Sequence, residues 1–143
     1  YLDEGKGEKA LPILEKLAEG GMRAAMHAIG HTYLYGVGGV CQDFDLAFKW
    51  FSRAAQNGCP QGMYHSGVCN AEGYGTSVNP ELAMQWFRKS ADRGDEDAMY
   101  RVGDCYERGF GCGKDTTEAC KWYEMAAKSG QEEAARRLAK LRE

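Results

Sequence analysis

Small and aromatic residues recur at helical spacing between positions 47 and 55, with polar and charged residues between them. They stand at i, i+3, i+4, i+7 and i+8, so they form one stripe along an α-helix. Gly58 follows shortly after the stripe, and glycine is typical of the left-handed turn that ends a helix. The pattern therefore predicts an amphipathic helix. The residues of the stripe are Ala47, Trp50, Phe51, Ala54 and Ala55.

The same pattern occurs three times along the chain. The stretch KWFSRAAQNG at residues 49–58 is followed by QWFRKSADRG at 85–94 and by KWYEMAAKSG at 121–130. The tryptophans Trp50, Trp86 and Trp122 are therefore spaced 36 residues apart. A period of this length is typical of stacked two-helix units, none of which can bury its apolar face alone.

The repeat divides the chain into three full units and two half units. The full units span residues 21–57, 58–93 and 94–129, and the half units span residues 1–20 and 130–143. We therefore expect a single all-α domain, an α-solenoid of stacked helix–turn–helix repeats. Such an array is an α-α superhelix of the kind that tetratricopeptide repeats form.

Polar residues mark the predicted start of the second helix in each unit. Asp43, Asn79 and Asp115 have side chains that accept hydrogen bonds from free backbone N–H groups. Pro80 would occupy the first helical position, where a missing N–H does no harm. Glu118 stands three residues after Asp115, which predicts a capping box. Each unit is therefore predicted to be a helical hairpin.

Each first helix contains a glycine at the same repeat position, namely Gly30, Gly67 and Gly103. An interior glycine costs about 1 kcal/mol relative to alanine, so its recurrence predicts a close approach between helices. We expect the three tryptophans, together with Ala54 and Ala126, to pack between stacked units. A tryptophan cage for a ligand is the alternative, and packing is favoured because the rings recur at the repeat period.

The order of these residues resembles the Sel1-like repeat, a relative of the tetratricopeptide repeat with a longer turn between its helices. The resemblance covers nearly the whole chain. In the first unit it depends on Ala25, Gly30, Tyr33, Gly36, Gly38, Val40, Asp43, Ala47, Trp50, Phe51, Ala54 and Ala55. The middle unit departs from the pattern, which predicts lower local stability there. Its departures are Gly62, Ser66, Asn70, Thr76 and Asn79.

The resemblance implies a protein-interaction scaffold or adaptor without catalytic activity, which binds a peptide or protein partner on the concave face of the solenoid. A second hypothesis is a regulatory or substrate-docking module of a larger enzyme, such as a protein kinase. A third is self-association through the open apolar faces of the terminal half units. The fold alone does not distinguish these functions.

Helical phase predicts which residues face the groove. In each first helix, the residues three before, one after and four after the glycine share a face that points away from the partner helix. A groove with tyrosine anchors and mixed charges suits an extended or helical peptide, and a solvated face without a partner is the simpler alternative. The predicted partner-binding residues are His27, His31, Tyr64, Tyr100, Asp104, Glu107, Arg136 and Lys140.

His27 and His31 stand four residues apart on one helix face, a spacing compatible with a shared metal ion. No glutamate follows His27 as in the H-E-x-x-H motif, and His65 is predicted to lie in a different helical phase. We therefore expect no metal site. Glycine-rich turns such as residues 109–111 lack the lysine and Ser/Thr pair of a phosphate-binding loop, so we also expect no cofactor and no catalysis.

Composition narrows the class of partner. The net charge of −3 gives no basic footprint for nucleic acid, and no apolar run is long enough for membrane insertion. The six cysteines include no C-x-x-C pair, and the chain contains no N-x-S/T glycosylation sequon. These features favour a reducing, cytoplasmic setting, with the lumen of the endoplasmic reticulum as the alternative.

Overall fold

The computed structural model describes residues 6–142, with side chains from Lys9 onward. The first five residues of the predicted amino-terminal half unit and the final Glu143 lie outside the described residues. Within the described part the chain forms α-helices joined by short loops. The helices are α1 (Lys6–Glu19), α2 (Arg23–Tyr35), α3 (Phe44–Gln56), α4 (Pro60–Glu72), α5 (Pro80–Asp92), α6 (Glu96–Arg108), α7 (Thr116–Lys128) and α8 (Glu132–Leu141).

The helices pack as stacked pairs. Helices α2 and α3, α4 and α5, and α6 and α7 form hairpins, and the second helix of each pair packs on the first helix of the next. We call α2, α4, α6 and α8 the A helices and α1, α3, α5 and α7 the B helices. Each helix therefore contacts mainly its neighbours along the chain, as in an α-solenoid. The predicted all-α architecture is confirmed.

The predicted caps of the B helices are present. The side-chain oxygens of Asp43, Asn79 and Asp115 accept hydrogen bonds from the backbone N–H groups of residues 46, 82 and 118, at 3.1, 3.1 and 3.0 Å. Pro80 occupies the first turn of α5, as predicted. Because each cap satisfies a donor that has no partner within the helix, these three residues fix where the B helices begin.

The predicted capping box is only half formed. In a full capping box the Glu118 side chain would accept a hydrogen bond from the backbone N–H of Asp115. That N–H instead donates to the carbonyl of Tyr106 at 2.9 Å. Asp43 makes the equivalent bond to Tyr33 at 2.9 Å, so it belongs to the repeat. This bond ties the start of a B helix to the A helix before it. The glutamate carboxylate lies 3.7 Å from Lys121 Nζ instead.

Each interior glycine lies against an aromatic ring of its partner B helix. A Cβ atom at Gly30 would lie 2.7 Å from Phe51 Cδ1, and one at Gly103 would lie 2.7 Å from Tyr123 Cδ1. Gly67 stands in the same relation to Phe87, at 2.6 Å from Cε1. The rings of Phe51, Phe87 and Tyr123 are at most 1% exposed. The close approach predicted from the glycines is therefore a contact between an aromatic ring and helix backbone that carries no side chain.

The middle repeat carries two of its polar departures inside its core. Ser66 and Asn70 are 0% and 2% exposed. The amide of Asn70 donates to the carbonyl of Ser66 at 2.8 Å, whereas Ser66 Oγ has no hydrogen-bond partner among the described residues. The positions equivalent to Ser66 in the other two repeats hold Ile29 and Val102, both fully buried. An unpaired buried hydroxyl costs about 1–3 kcal/mol, which fits the lower stability predicted for this repeat.

Replacement of Gly103 by alanine is expected to lower the free energy of unfolding. Alanine favours the helix by about 1 kcal/mol, but overpacking the crossing against Tyr123 costs about 1–3 kcal/mol. Urea denaturation followed by circular dichroism measures the difference. Gly113→Ala is the control, because a Cβ atom there meets nothing within 4 Å, and it should leave stability nearly unchanged. A Gly103→Ala variant as stable as the parent would show that the ring moves aside freely.

Replacement of Ser66 by alanine is expected to raise the free energy of unfolding by about 1 kcal/mol, because it removes an unpaired hydroxyl from the core. Ser90→Ala is the matched control. The Ser90 hydroxyl is equally buried but donates to the carbonyl of Pro60 at 2.7 Å, so its loss should destabilise by a similar amount. Equal shifts of the two variants in urea denaturation would contradict this account of Ser66.

Candidate functional site

The A helices lie side by side and form a continuous surface, which we call the A-helix face. Contacts join each A helix to the next. His65 on α4 contacts His27 on α2 at 3.2 Å, and Arg101 on α6 donates to Tyr64 on α4 at 3.3 Å. Arg137 on α8 lies 2.8 Å from Glu107 on α6. The predicted groove residues His27, Tyr64 and Glu107 are therefore each contacted by a side chain of the next A helix.

The three histidines come together between α2 and α4. The ring centroids of His27 and His65 are 4.9 Å apart, and those of His31 and His65 are 6.3 Å apart. His65 does stand in a different helical phase from His27, two residues rather than three before the repeat glycine, but this phase brings it to the other two histidines instead of separating it from them. It occupies the junction between repeats, stacked on Phe51 at 4.6 Å.

Hydrogen bonding indicates which ring nitrogen of His65 carries the proton. Its Nδ1 lies 2.9 Å from the carbonyl oxygen of Gln61, and a carbonyl only accepts, so Nδ1 carries the proton. The same N–H faces Nε2 of His27 at 3.2 Å, which then accepts. In this arrangement the His27 lone pair is occupied within the protein. Among the described residues no group of three or more His, Cys, Asp or Glu side chains is placed to hold a metal ion.

Burial favours the neutral form of all three rings. Burial, assisted by the nearby His65 and His31, lowers the pKa of His27 from 6.5 to about 4. Burial also lowers the pKa of His65, and partial burial of the otherwise exposed His31 lowers the pKa of that ring. For His65, Arg101 acts in the same direction, and the Gln61 carbonyl and Asp95 oppose it. The cluster is therefore uncharged at neutral pH.

Tyr64 and Tyr100 line the A-helix face but are half-buried. The Tyr64 ring centroid is 5.9 Å from that of Phe87, and the Tyr100 ring is 5.7 Å from that of Tyr123. The expectation that these rings turn away from the B helix is therefore only partly met. Each tyrosine leans on its own core and offers the remaining ring surface to the groove, which makes it a rigid contact.

The two predicted groove acids are engaged within the chain. Asp104 is paired with Arg108 at 2.8 Å and with Arg137 at 3.4 Å. Glu107 is paired with Arg137 at 2.8 Å and accepts a hydrogen bond from the Tyr123 hydroxyl at 2.6 Å. Burial raises the pKa of Glu107, but the bonds from Tyr123 and Arg137 outweigh it and the pKa is lowered. These acids therefore hold α6 to α7 and α8.

The predicted bases at the carboxyl-terminal end are exposed. Within the described part of the chain, Arg136 pairs with two acids of its own helix, Glu133 at 3.0 Å and Glu132 at 3.7 Å. Lys140 is exposed on the same helix. Both residues border a cavity of about 550 Å³ between α6 and α8. They are available to a ligand at that end of the A-helix face.

A cavity lies between each pair of neighbouring A helices. The cavity between α2 and α4 measures about 390 Å³, and Leu34, Phe44, Val68 and Tyr74 line its apolar wall. The next, between α4 and α6, measures about 190 Å³. The third is the cavity of about 550 Å³ beside α8. Together they follow the A-helix face from one end of the array to the other.

The tryptophans lie away from this face. Trp50 and Trp122 are 9% exposed and their aliphatic neighbours Ala54 and Ala126 are fully buried. Trp86 is only half-buried, in contrast to the packing predicted for all three. It lines a cavity of about 540 Å³ at the carboxyl ends of α3 and α5, with Lys89 Nζ 4.9 Å from its ring.

The profile of the family described as "Sel1 repeat" matches residues 23–59, 60–95 and 96–131. The chain belongs to the Sel1 repeat family. The matched segments coincide with the three hairpins of an A and a B helix, α2 with α3, α4 with α5, and α6 with α7.

Solved structures share the Sel1 fold. A protective antigen of uropathogenic Escherichia coli strains is 33% identical, with a TM-score of 0.86, over 90% of this chain and 27% of that one. A Sel1 repeat protein from Oxalobacter formigenes is 34% identical, with a TM-score of 0.86, over 94% of this chain and 54% of that one.

A plant protein is similar to half of this chain. An ERAD-associated E3 ubiquitin-protein ligase component of Arabidopsis thaliana is 38% identical over 71 residues, which are 50% of this chain and 11% of that protein. The Sel1 repeats here thus span about a tenth of the plant protein, about a quarter of the E. coli antigen and about half of the Oxalobacter protein.

Sequence reasoning missed one position of the Sel1 repeat. His65, Arg101 and Arg137 each stand two residues before the position of the interior glycine, and they are spaced 36 residues apart. All three reach back to the preceding A helix. The recurrence of long polar side chains at this position was the available signal.

Among the described residues no helix is long and apolar enough to span a membrane.

The histidine cluster is expected to make folding sensitive to acid. The folded-state pKa of His27 lies below its ordinary 6.5, so the folded protein binds fewer protons than the unfolded chain. Stability should be complete above pH 6.5 and should fall as the pH is lowered toward the folded pKa of about 4. After allowance for solvent screening, we expect a loss of about 1–2 kcal/mol in urea denaturation between neutral pH and about pH 4.5.

His27→Gln is the control, because glutamine does not titrate in this range. Carboxylates such as Glu107 also lose stabilising charge in acid, so the informative quantity is the difference between the two pH profiles. The variant should start less stable at neutral pH and lose less on acidification. Parallel profiles would show that the histidines contribute nothing to the acid response.

Proposed function

We propose that this chain is a non-catalytic protein-interaction module, a scaffold or adaptor that binds a peptide or protein segment on its A-helix face. The observation that carries the proposal is the row of three cavities, one between each pair of neighbouring A helices. A row of cavities along one surface suits an elongated ligand, whose successive side chains enter successive cavities.

The chemistry of the face suits a protein partner. Tyr64 and Tyr100 are half-buried aromatic residues with rings held against the core, and such residues are typical anchors at interfaces. Exposed His31 and the bases Arg136 and Lys140 extend the face toward both ends of the array. A cytoplasmic setting remains part of the proposal, supported by six free thiols.

A second candidate function is a regulatory or substrate-docking module within a larger enzyme or enzyme assembly. It is favoured by the plant relative, which is described as a ligase component and of which this chain covers 11%. The two candidates predict the same binding face. They differ in what flanks the repeats, since a docking module belongs beside a catalytic domain or subunit.

The double variant Tyr64→Ala with Tyr100→Ala is expected to weaken binding of the native partner by at least about 2 kcal/mol, because it removes two aromatic anchors from the face. The purified chain serves as bait in the native cell extract, and the captured proteins are identified by mass spectrometry. Each candidate partner is then titrated against the parent and the variant. Circular dichroism checks that the variant is folded.

Met125→Ala is the matched control for this experiment. Met125 is 45% exposed on the B helix α7, away from the A-helix face. A genuine partner should bind this variant as it binds the parent. If the folded double variant keeps full affinity for the partner, the binding surface is not the A-helix face and the proposed site is wrong.

A further inference from the structure

Arg101 stands at the centre of the A-helix face and contacts Tyr64 on the preceding A helix. Its Nε donates to the hydroxyl of Tyr64 at 3.3 Å, and the guanidinium carbon lies 5.9 Å from the centroid of that ring. This contact crosses from α6 to α4, so the side chain spans the junction between two repeats. The bond uses one of the five donors of the guanidinium.

The remaining donors of Arg101 have no acceptor among the described residues, in contrast to the other arginines nearby. Arg108 donates to Asp104 at 2.8 Å, and Arg137 donates to Glu107 at 2.8 Å. Arg101 makes no hydrogen bond or ion pair with a carboxylate of the described chain. The side chain is also only partly buried and lines two cavities.

Arg101 separates two cavities. It lines the cavity of about 390 Å³ between α2 and α4, and also the cavity of about 190 Å³ between α4 and α6. On one side the wall includes Phe44 and Tyr74, whose rings are stacked at 4.6 Å. On the other side it includes Phe110 together with the charged Asp104 and Arg108. The guanidinium therefore stands between a partly aromatic recess and a mostly polar one.

We propose that the A-helix face binds an extended peptide segment in which an Asp or Glu side chain pairs with Arg101 and a neighbouring large apolar side chain enters the cavity walled by Phe44 and Tyr74. This inference rests on the proposed function and adds the chemistry of the ligand. A carboxylate is the group that matches a planar guanidinium with free donors. An internal side chain is chosen over a chain terminus because cavities lie on both sides of Arg101.

Glu72 makes the charge of the ligand testable. It lines both cavities with Arg101 but is exposed and not paired with it. An acidic ligand is repelled by Glu72, so Glu72→Gln should leave its affinity unchanged or strengthen it. A basic ligand is attracted by Glu72, so the same variant should weaken the binding of that ligand. The sign of this one change therefore separates the two kinds of ligand.

The experiment selects binders from a displayed library of random peptides of about 12 residues. An extended residue spans up to about 3.5 Å, and the four A helices cover roughly 30 Å at helix spacings of about 10 Å. We expect the selected peptides to share one acidic position beside a large apolar one. Arg101→Gln should weaken their binding at least tenfold, roughly the effect of losing a charge-assisted hydrogen bond.

Two comparisons make the assignment specific. Arg88→Gln is the matched control, since Arg88 also donates to a tyrosine hydroxyl, that of Tyr106 at 3.2 Å, but lines none of the cavities on the A-helix face. It should bind the peptides as the parent does. Arg101→Glu should no longer bind the acidic peptides and should instead bind peptides in which the acid is replaced by lysine. Peptides with free and amidated carboxyl ends should bind equally.

Selected peptides without an acid, a library that enriches no sequence, or weaker binding on Glu72→Gln would each overturn the inference. So would a strict need for the free carboxyl end, which would assign the pairing to a terminus. None of these results contradicts the proposed function. That proposal fails only if the native partner binds the folded Tyr64→Ala, Tyr100→Ala variant with full affinity. The two failures are therefore distinguishable.

Discussion

The contact between an interior glycine and an aromatic ring is the constraint on which the array depends. Gly30, Gly67 and Gly103 leave no side chain on the A helix at the crossing, and a ring of the B helix fills the space. The two helices of a hairpin are thereby held at one distance and one rotation. Since every repeat uses the same contact, the A and B helices of each hairpin meet at the same repeat position.

Much of this could be predicted because it is encoded locally. Caps such as Asp43 act on backbone groups three residues away, and the left-handed glycines that end the B helices, such as Gly94, act within one turn. The close approach at the interior glycine was predicted from its recurrence, and the partner helix could be identified because the B helix follows directly in the chain. Local chemistry and repetition together were sufficient for the hairpin.

The junction between repeats was not predictable in the same way. Which side chain of one A helix meets which side chain of the next depends on the relative rotation of two helices that are not adjacent in sequence. The groove residues derived from helical phase accordingly missed His65 and Arg101, which meet His27 and Tyr64. For the same reason, Asp104 and Glu107 were predicted as acids open to a ligand, although Arg137 of the next A helix is paired with both.

The contacts that cross the A-helix face divide each recognition element between two repeats. Tyr64 comes from one matched repeat and Arg101 from the next, so neither repeat contains the pair by itself. Insertion of a whole repeat between them would preserve both hairpins and still replace this junction with two different ones. Specificity in such an array is therefore a property of the order of its repeats, and shuffling intact units is a route to new ligands without any change inside a unit.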